Sequence, residues 1–335
     1  MKKIKIFVPS GIGDVTWSLM KVLDIKKKHN ADFVEIYPNA TQSNRVKDFL
    51  HHFDFVNDVQ YQEFDIQPII PHIPPSIPGI FDATQYVQEN LIDARGRPIF
   101  IQSTGYFMGD PNAWLIIYNG HHAEGKRIES WYPKYITDMN IMDNFHFRPE
   151  EVENAKQIHK DLLHDQPFVI FYMGPTEGNT IGGYNRDNLW TLSDWYQVVL
   201  NIQEHRKDIR FLITGSKDDW HFANLFIGSI PRHKNIFINA CGLTDIGTTF
   251  SLIQTSQFLL AYPSGIGIVA VYLKHPTSIF FRPEGNSLSP DIFISYDERV
   301  SDCWAPLEAI DKTYFPVFYT RHSPTYITDI ISQFL

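Results

Sequence analysis

The residues best placed to do chemistry follow the first apolar segment of the chain. Residues 4–8 are typical of a buried strand, and the run Pro9-Ser10-Gly11-Ile12-Gly13-Asp14 separates them from an amphipathic segment. The two glycines permit a tight turn with positive φ, and the amides at the start of the helix favour an anion. Asp14 lies in this turn, where a carboxylate is either a helix cap or a base at the mouth of a cleft.

A second polar segment follows the strand predicted at 114–118. It contains His121, Glu124, Lys126 and Arg127, which together suit a polar or anionic ligand or form a solvated basic turn. His121 and its neighbour His122 suggest a metal site. However, successive side chains on a strand or loop diverge, and no third ligand lies at a useful spacing. We therefore predict that the protein binds no metal here.

The second half of the chain contains three further candidate segments. The run 174–183 is rich in glycine and hydroxyls, so it suits a mobile loop over a ligand or is simply flexible. Arg186 follows it, and a guanidinium there either pairs with phosphates or is solvated. Asp218 and Asp219 come after Gly215-Ser216 at the end of a predicted strand. They contact ribose hydroxyls or cap a helix.

Short strand-like runs alternate with helical patterns, which predicts an α/β protein with mostly parallel sheets. In the first half, strands are predicted at 4–8, 33–37, 98–102 and 114–118, and helices at 15–28 and 44–53. In the second half, strands are predicted at 168–173, 209–214, 236–240, 258–261 and 278–281, and helices at 150–163, 193–204, 245–255, 267–273 and 324–335. Open α/β sheets bind ligands at the carboxyl ends of their strands, so two facing sheets predict a cleft between domains.

Two breaks in the pattern bear on the domain organisation. His164-Asp165-Gln166-Pro167 interrupts the helical pattern, so we predict domains at 1–164 and 165–335. The segment 67–79 carries so much proline that it cannot be a helix interior or a central strand. We interpret it as a surface loop that can border a site.

Composition limits the classes of function. The chain has 335 residues, of which 43% are hydrophobic, and this predicts a globular protein of roughly two domains. A formal net charge of -9 opposes nonspecific attraction to nucleic acid or anionic membranes. Cys241 and Cys303 are too few for a disulfide framework. With no evident secretory signal and no long apolar run, we expect a cytoplasmic protein whose membrane contact, if any, is peripheral.

The order of the glycine turns resembles a known family. Ser10-Gly11-Ile12-Gly13-Asp14-Val15 before an apolar helix resembles the N-terminal turn of heptosyltransferase-like (GT9-type) glycosyltransferases of bacterial lipopolysaccharide. The order continues with Gly215-Ser216, Cys241-Gly242-Leu243-Thr244 and Pro263-Ser264-Gly265-Ile266-Gly267, so the resemblance covers most of the chain. It implies the GT-B fold, with two Rossmann-like domains facing across a cleft. It also implies a C-terminal helix that closes the structure and can pack back on the N-terminal domain.

The resemblance also implies an activity and a set of site residues. The activity is inverting, metal-independent transfer of a sugar from a nucleotide-sugar donor to an acceptor hydroxyl, without a cofactor. Asp14 matches the catalytic base. Together with the residues discussed above, it leads us to predict acceptor binding by Ser10, Gly11, Gly13, His121, Glu124, Lys126 and Arg127. The predicted donor-binding residues are Gly174, Thr176, Arg186, Trp190, Gly215, Ser216, Asp218, Ser264, Gly265 and Ile266.

The donor motif departs from the family pattern. Pro263 stands where the family has an acidic residue, and Ile268 stands where it has a histidine. Arg186 and Trp190 replace a Lys/Arg-Trp pair. A different nucleotide or sugar is therefore expected. The acceptor is a lipopolysaccharide-type or lipid-linked glycan, or a modified base in DNA. Two other classes stay open: a nucleotide-sugar epimerase or hydrolase, and a noncatalytic sugar-nucleotide binding protein.

Overall fold

The computed structural model shows two compact units. It describes residues 1–9, 11–39, 44–60, 88–92, 98–118, 141–174, 180–181, 184–185, 191–261, 264–273, 275, 278–281, 317–318 and 323–335. The described part of the first unit lies within Met1–His146. The described part of the second unit lies within Phe147–Ser287 and Ile310–Leu335.

The first unit is built on a six-stranded sheet in the order β3-β2-β1-β6-β5-β4. Its elements are β1 (Lys3–Val8), α1 (Ile12–Lys28), β2 (Phe33–Pro38), α2 (Asn44–Leu50), β3 (Asp58–Val59), β4 (Gln88–Ile92), β5 (Pro98–Gly105) and β6 (Ala113–Tyr118). The strands β3, β2, β1 and β6 are parallel, and β5 and β4 extend the sheet in antiparallel pairs. The predicted strands and helices of this half are confirmed, whereas the strands β3 and β4 were not predicted.

Alternation along β1 explains how the first unit forms its core. Ile4, Ile6 and Val8 are almost completely buried on one face of the sheet. Helix α1 packs against β1, and it buries Val15 and Leu19 completely. Because side chains alternate across a strand, β1 is fixed in register and the turn that follows it is held in one place.

The second unit is built on a six-stranded sheet in the order β11-β10-β7-β12-β13-β14. Its strands are β7 (Phe168–Tyr172), β8 (Thr180–Ile181), β9 (Tyr184–Asn185), β10 (Arg210–Ile213), β11 (Phe237–Asn239), β12 (Phe258–Ala261), β13 (Ser278–Phe281) and β14 (Val317–Phe318). Its helices are α3 (Pro149–Leu163), α4 (Leu192–His205), α5 (Trp220–Gly228), α6 (Ile246–Thr255), α7 (Gly265–Tyr272) and α8 (Pro324–Ile331). Every pair in the six-stranded sheet is parallel, and β8 and β9 form a separate antiparallel hairpin.

The strands and helices predicted for the second half are confirmed, with small shifts at their ends. Strands β8, β9 and β14 were not predicted, and β8 lies within the run 174–183 that was interpreted as a loop. Helix α5 was not predicted either, because its apolar residues lack a clear helical period. The order of the six parallel strands is that of the dinucleotide-binding Rossmann folds. In this order, β7 and β12 are neighbours at the centre of the sheet. The strands that follow β7 are added on one side, and those that follow β12 are added on the other.

Two helices of the second unit differ from the expected domain organisation. Helix α3 packs on α6, so the division between the units falls between His146 and Phe147 and not near residue 164. Helix α8, which was expected to pack back on the N-terminal domain, lies against α4 instead. Its residues Ile327 and Ile331 are fully buried in the core of the second unit. For α8, the reason is an apolar helix face that completes this core. Helix α3 instead joins the second unit through its packing on α6, and it buries Ala155 and Leu163.

Candidate active site

The sheet order of the first unit places Asp14 at an edge suited to ligand binding. β1 lies between β2 and β6, and the chain passes from β1 to β2 on one side before it returns to β6 on the other. In open α/β sheets, ligands bind outside the carboxyl ends of the strands at such a switch point. Asp14 is the third residue of α1, which begins at Ile12, a short turn after the carboxyl end of β1 at Val8.

The turn before α1 depends on glycine. Gly11 is the N-cap residue of the helix and has φ of 98°, a conformation that side chains rarely adopt. The amide of Val15 donates to the carbonyl oxygen of Gly11 at 2.9 Å, which closes the first helical turn. Asp14 is therefore not the N-cap residue. Gly13, the second glycine of the turn, is buried.

Burial changes the proton affinity of Asp14. Loss of solvation raises the pKa of its carboxyl group from 3.8 to about 6. At neutral pH the group is still mostly ionised, but it accepts a proton more readily than an ordinary carboxylate does. A general base is most effective when its pKa lies near the working pH, so the environment of Asp14 suits this role.

Hydrogen bonds inside α1 keep the backbone around Asp14 in place. The hydroxyl of Ser18 donates to the carbonyl oxygen of Asp14 at 2.8 Å, and the hydroxyl of Thr16 donates to that of Ile12 at 2.7 Å. Further along the helix, the completely buried ammonium of Lys21 lies 3.0 Å from Oδ2 of Asp24. These contacts satisfy polar groups on a helix that is largely buried.

The carboxyl edge of the second sheet brings together two of the predicted donor segments. Gly174 follows β7, is buried and has φ of 75°, so glycine is required there. Ser264 precedes α7, which follows β12, and its hydroxyl accepts a hydrogen bond from the amide of Gly267 at 3.3 Å. Ser264, Gly265 and Ile266 are half-buried at this helix start. The strands β7 and β12 flank the switch point. The backbone at Gly174 and at the start of α7 therefore offers amides to an anionic ligand.

The loop after β10 is held by an internal carboxylate. Both the amide and the hydroxyl of Ser216 donate to Oδ2 of Asp219, at 2.6 and 2.7 Å. Asp219 is buried, whereas Asp218 is exposed. Of the two alternatives weighed for this pair, Asp219 has the capping role. The side chain of Asp218 is exposed at the same loop.

The loop after β11 packs directly onto the loop after β10. The amide of Gly242 donates to the carbonyl oxygen of Gly215 at 3.0 Å. Gly242 has φ of 71°, and a Cβ on it would lie 2.8 Å from Cα of Lys217. The two backbones therefore approach so closely that only glycine fits at position 242. This contact fixes Gly215 and Ser216 at the carboxyl edge.

Several predicted site residues lie outside the described part of the chain. They are Ser10, His121, Glu124, Lys126, Arg127, Thr176, Arg186 and Trp190. Within the described part, no group of three or more histidine, cysteine, aspartate or glutamate side chains could hold a metal ion. No helix in that part has the length and apolar character needed to cross a membrane.

Sequence reasoning missed Gly242 as the residue that joins two loops. It also left the role of Asp219 undecided, although the spacing of Ser216 and Asp219 is the pattern of a capping box. The close approach at Gly242 has no such local signal, because the residue it meets, Lys217, is distant in sequence.

Two α/β units with these sheets define the GT-B class of fold. No protein-family model and no curated protein matches the sequence. Among solved structures, the chain is similar to ADP-heptose lipopolysaccharide heptosyltransferase II of E. coli, with 14% identity, coverage of 100% of this chain and 98% of that one, and a TM-score of 0.57. It is also similar to a family 9 glycosyltransferase of Veillonella parvula (10% identity, 100% and 90% coverage, TM-score 0.53). A third similar structure is E. coli heptosyltransferase WaaC with ADP (10% identity, 99% and 100% coverage, TM-score 0.52). The chain thus has the GT-B fold in the form found in heptosyltransferases.

Proposed function

We propose that this protein is a glycosyltransferase that moves a sugar from a nucleotide-sugar donor to an acceptor hydroxyl, with Asp14 as general base. The observation that carries the proposal is the carboxylate of Asp14, which lies at the carboxyl edge of the first sheet with a pKa raised to about 6. The likeness of the whole chain to heptosyltransferase structures supports the class of reaction.

The proposed reaction is a direct displacement. A hydroxyl is a poor nucleophile at neutral pH, so Asp14 accepts its proton as the oxygen attacks the anomeric carbon. The bond between that carbon and the diphosphate oxygen breaks, and the nucleoside diphosphate leaves. Attack opposite the leaving group inverts the anomeric configuration. This mechanism needs no metal ion and no cofactor.

The donor is assigned to the carboxyl edge of the second sheet. The backbone around Gly174 and the start of α7 at Ser264, Gly265 and Ile266 suit a diphosphate. Ser216 and Asp218 suit the ribose hydroxyls. Arg186 and Trp190 remain predicted donor ligands. Because two of the similar structures are an ADP-heptose heptosyltransferase and a heptosyltransferase with ADP, adenine nucleotides are the first donors to test.

The acceptor is proposed to be a lipopolysaccharide-type glycan, bound by the segment that contains His121, Glu124, Lys126 and Arg127. A lipid-linked acceptor would bring the protein to the surface of the inner membrane as a peripheral protein. A modified base in DNA is the competing acceptor. Binding to DNA that weakens steeply with salt would favour it.

The first experiment measures thermal shifts with ADP, GDP, UDP and their sugar conjugates. A ligand that binds the folded state raises the melting temperature by mass action. We expect at least one nucleotide to stabilise the protein. If none of these ligands shifts the melting temperature, the transferase proposal is wrong.

The second experiment tests Asp14. With the stabilising donor and a glycan acceptor, Asp14→Asn should bind the donor normally but lower the rate of sugar transfer by about 100-fold or more. Asp32→Asn, which removes an exposed carboxylate of the same unit, is the matched control and should leave the rate unchanged. Unchanged transfer in Asp14→Asn would refute the assignment of the base. Donor hydrolysis or epimerisation without any transfer would indicate the other enzymatic class.

A further inference from the structure

A buried carboxylate lies at the start of the second unit. Glu151 is 2% exposed and occupies the third position of α3, where Arg148 is the N-cap residue and Pro149 the first helical residue. The backbone amide of Arg148 donates to Oε2 of Glu151 at 2.9 Å. Nη1 of Arg148 lies 3.5 Å from Oε1. Glu151 therefore satisfies the N-terminus of its own helix, as in a capping box.

The same carboxylate also lies against a second helix N-terminus. Gly247 is the second residue of α6, and a Cβ built on it would overlap the carboxyl group of Glu151. Only a glycine at this position lets the carboxylate approach the first turn of α6 so closely. Because the first turns of α3 and α6 both carry partial positive charge, one buried anion stabilises both.

The first turn of α6 is continuous with the loop after β11. Asp245 is the N-cap residue of α6, and its Oδ1 accepts a hydrogen bond from the amide of Thr248 at 2.6 Å. The hydroxyls of Thr244 and Thr249 lie 2.7 Å apart. The loop and the helix start therefore form one hydrogen-bonded segment, which reaches Gly215 through the amide of Gly242.

We propose that Glu151 is a positioning residue that fixes the loop 240–245 and, through it, the loop that carries Gly215 and Ser216. Glu151 holds the start of α6, α6 holds its own preceding loop, and Gly242 joins that loop to Gly215. Since α3 begins two residues after the division between the units, Glu151 ties the start of the second unit to two loops at the carboxyl edge of its sheet. Its effect on donor affinity rests on the proposed function, whereas its effect on the loops does not.

Hydrogen exchange of the whole protein tests the positioning role without any substrate. Glu151→Gln keeps the shape of the side chain but removes its charge. We expect exchange to become about tenfold faster at 148–152 and also at 240–249, while α4 and α8 keep their wild-type rates. Glu153→Gln is the matched control, because this glutamate lies on the same helix with its side chain 73% exposed.

A second variant tests the same contact by a substitution in α6. Gly247→Ala keeps every charge but forces Glu151 away from α6, so it should produce the same faster exchange at 240–249. Gly228→Ala is its control, since a Cβ at that helical glycine meets nothing within 4 Å. Faster exchange at 148–152 alone in Glu151→Gln, with no change at 240–249 in either variant, would show that Glu151 only caps α3 and would overturn the proposal.

Binding of ADP and of the nucleotide that stabilises the wild type separates the two proposals. In Glu151→Gln, the dissociation constant should rise about tenfold, in line with faster loop exchange. If no nucleotide binds the wild type but the exchange pattern is as expected, the proposed function fails and the positioning role stands. If the wild type binds a nucleotide and both variants match it in exchange and affinity, the positioning role fails and the proposed function stands.

Discussion

Oδ2 of Asp14 lies 3.3 Å from the position that a Cβ on Gly11 would occupy. The proposed base is thus folded back over the N-cap residue of its own helix. A Cβ at position 11 would require the carboxylate to shift by a few tenths of an ångström. The glycine has two roles here, since it permits the turn with φ of 98° and leaves room for the carboxylate.

Replacing this glycine should affect stability and turnover together. Gly11→Ala is expected to lower the free energy of unfolding by about 1 to 2 kcal/mol because alanine is strained at this φ. It should also lower the rate of sugar transfer, because the Asp14 carboxylate is displaced. Urea denaturation and a transfer assay measure the two effects.

Gly109→Ala is the control for Gly11→Ala, because Gly109 has φ of 75° but a Cβ there meets nothing within 4 Å. It shares the backbone strain and lacks the contact with a carboxylate. Equal losses of turnover in the two variants would mean that strain, and not displacement of Asp14, slows transfer.

The pH dependence of transfer should report the state of Asp14. The carboxylate accepts a proton only when it is ionised, so activity should rise with pH through the raised pKa of about 6 and level off above pH 7. The measurement is the pH profile of kcat/KM. An ascending limb centred near 4, the ordinary value for aspartate, would contradict the effect of burial on this group.

Asp14 should also destabilise the folded protein at neutral pH. Its pKa is about 6 when folded and 3.8 when unfolded, so between these values the folded state binds more protons and stability falls as pH rises. Asp14→Asn removes this penalty, and we expect it to raise the free energy of unfolding at pH 7 by about 1 to 2 kcal/mol.

The difference between Asp14→Asn and the wild type should shrink as pH falls from 6 towards 4, where the folded and unfolded states are both increasingly protonated. Urea denaturation at pH 7, 5 and 4 measures it. A variant that loses transfer while gaining stability would also show that the lost activity is not a folding defect. An Asn variant less stable than the wild type at pH 7 would count against this interpretation.

The contact of Gly242 with the loop after β10 can be tested separately. A Cβ on Gly242 would lie 2.8 Å from the backbone of Lys217, which cannot move aside like a flexible side-chain end. Gly242→Ala should therefore cost about 2 kcal/mol of stability and weaken the thermal shift given by the nucleotide donor. Gly109→Ala again supplies the strain without the contact. If the nucleotide raises the melting temperature of Gly242→Ala as much as that of the wild type, the contact between these two loops is not part of the donor site.

Much of the fold was predictable from local patterns. Apolar periodicity and turn residues predict strands such as 258–261 and helices such as 150–163. Both elements are present at or near those bounds. The division between the units could not be predicted from the interruption of the helical pattern at 164–167. It depends on the packing of α3 against α6, and such helix packing is decided by contacts distant in sequence.

The candidate site shows the same limit at the level of single residues. Asp14 was identified from a turn between a strand and a helix, which is a local signal. Its raised pKa was not foreseen, because desolvation depends on everything that packs around the side chain. Likewise, the turn glycines 11 and 13 could be read from the sequence, whereas the demand for glycine at 242 and 247 comes from a partner elsewhere in the chain.

The contact between Glu151 and Gly247 has a consequence for natural variation. The two positions share a fixed volume, so in related chains a side chain at 247 is compatible only with a shorter residue at 151. A shorter residue would in turn leave two helix starts without their common anion. Substitutions at the two positions should therefore be inherited as a pair, and either one alone should be rare among descendants of this sequence.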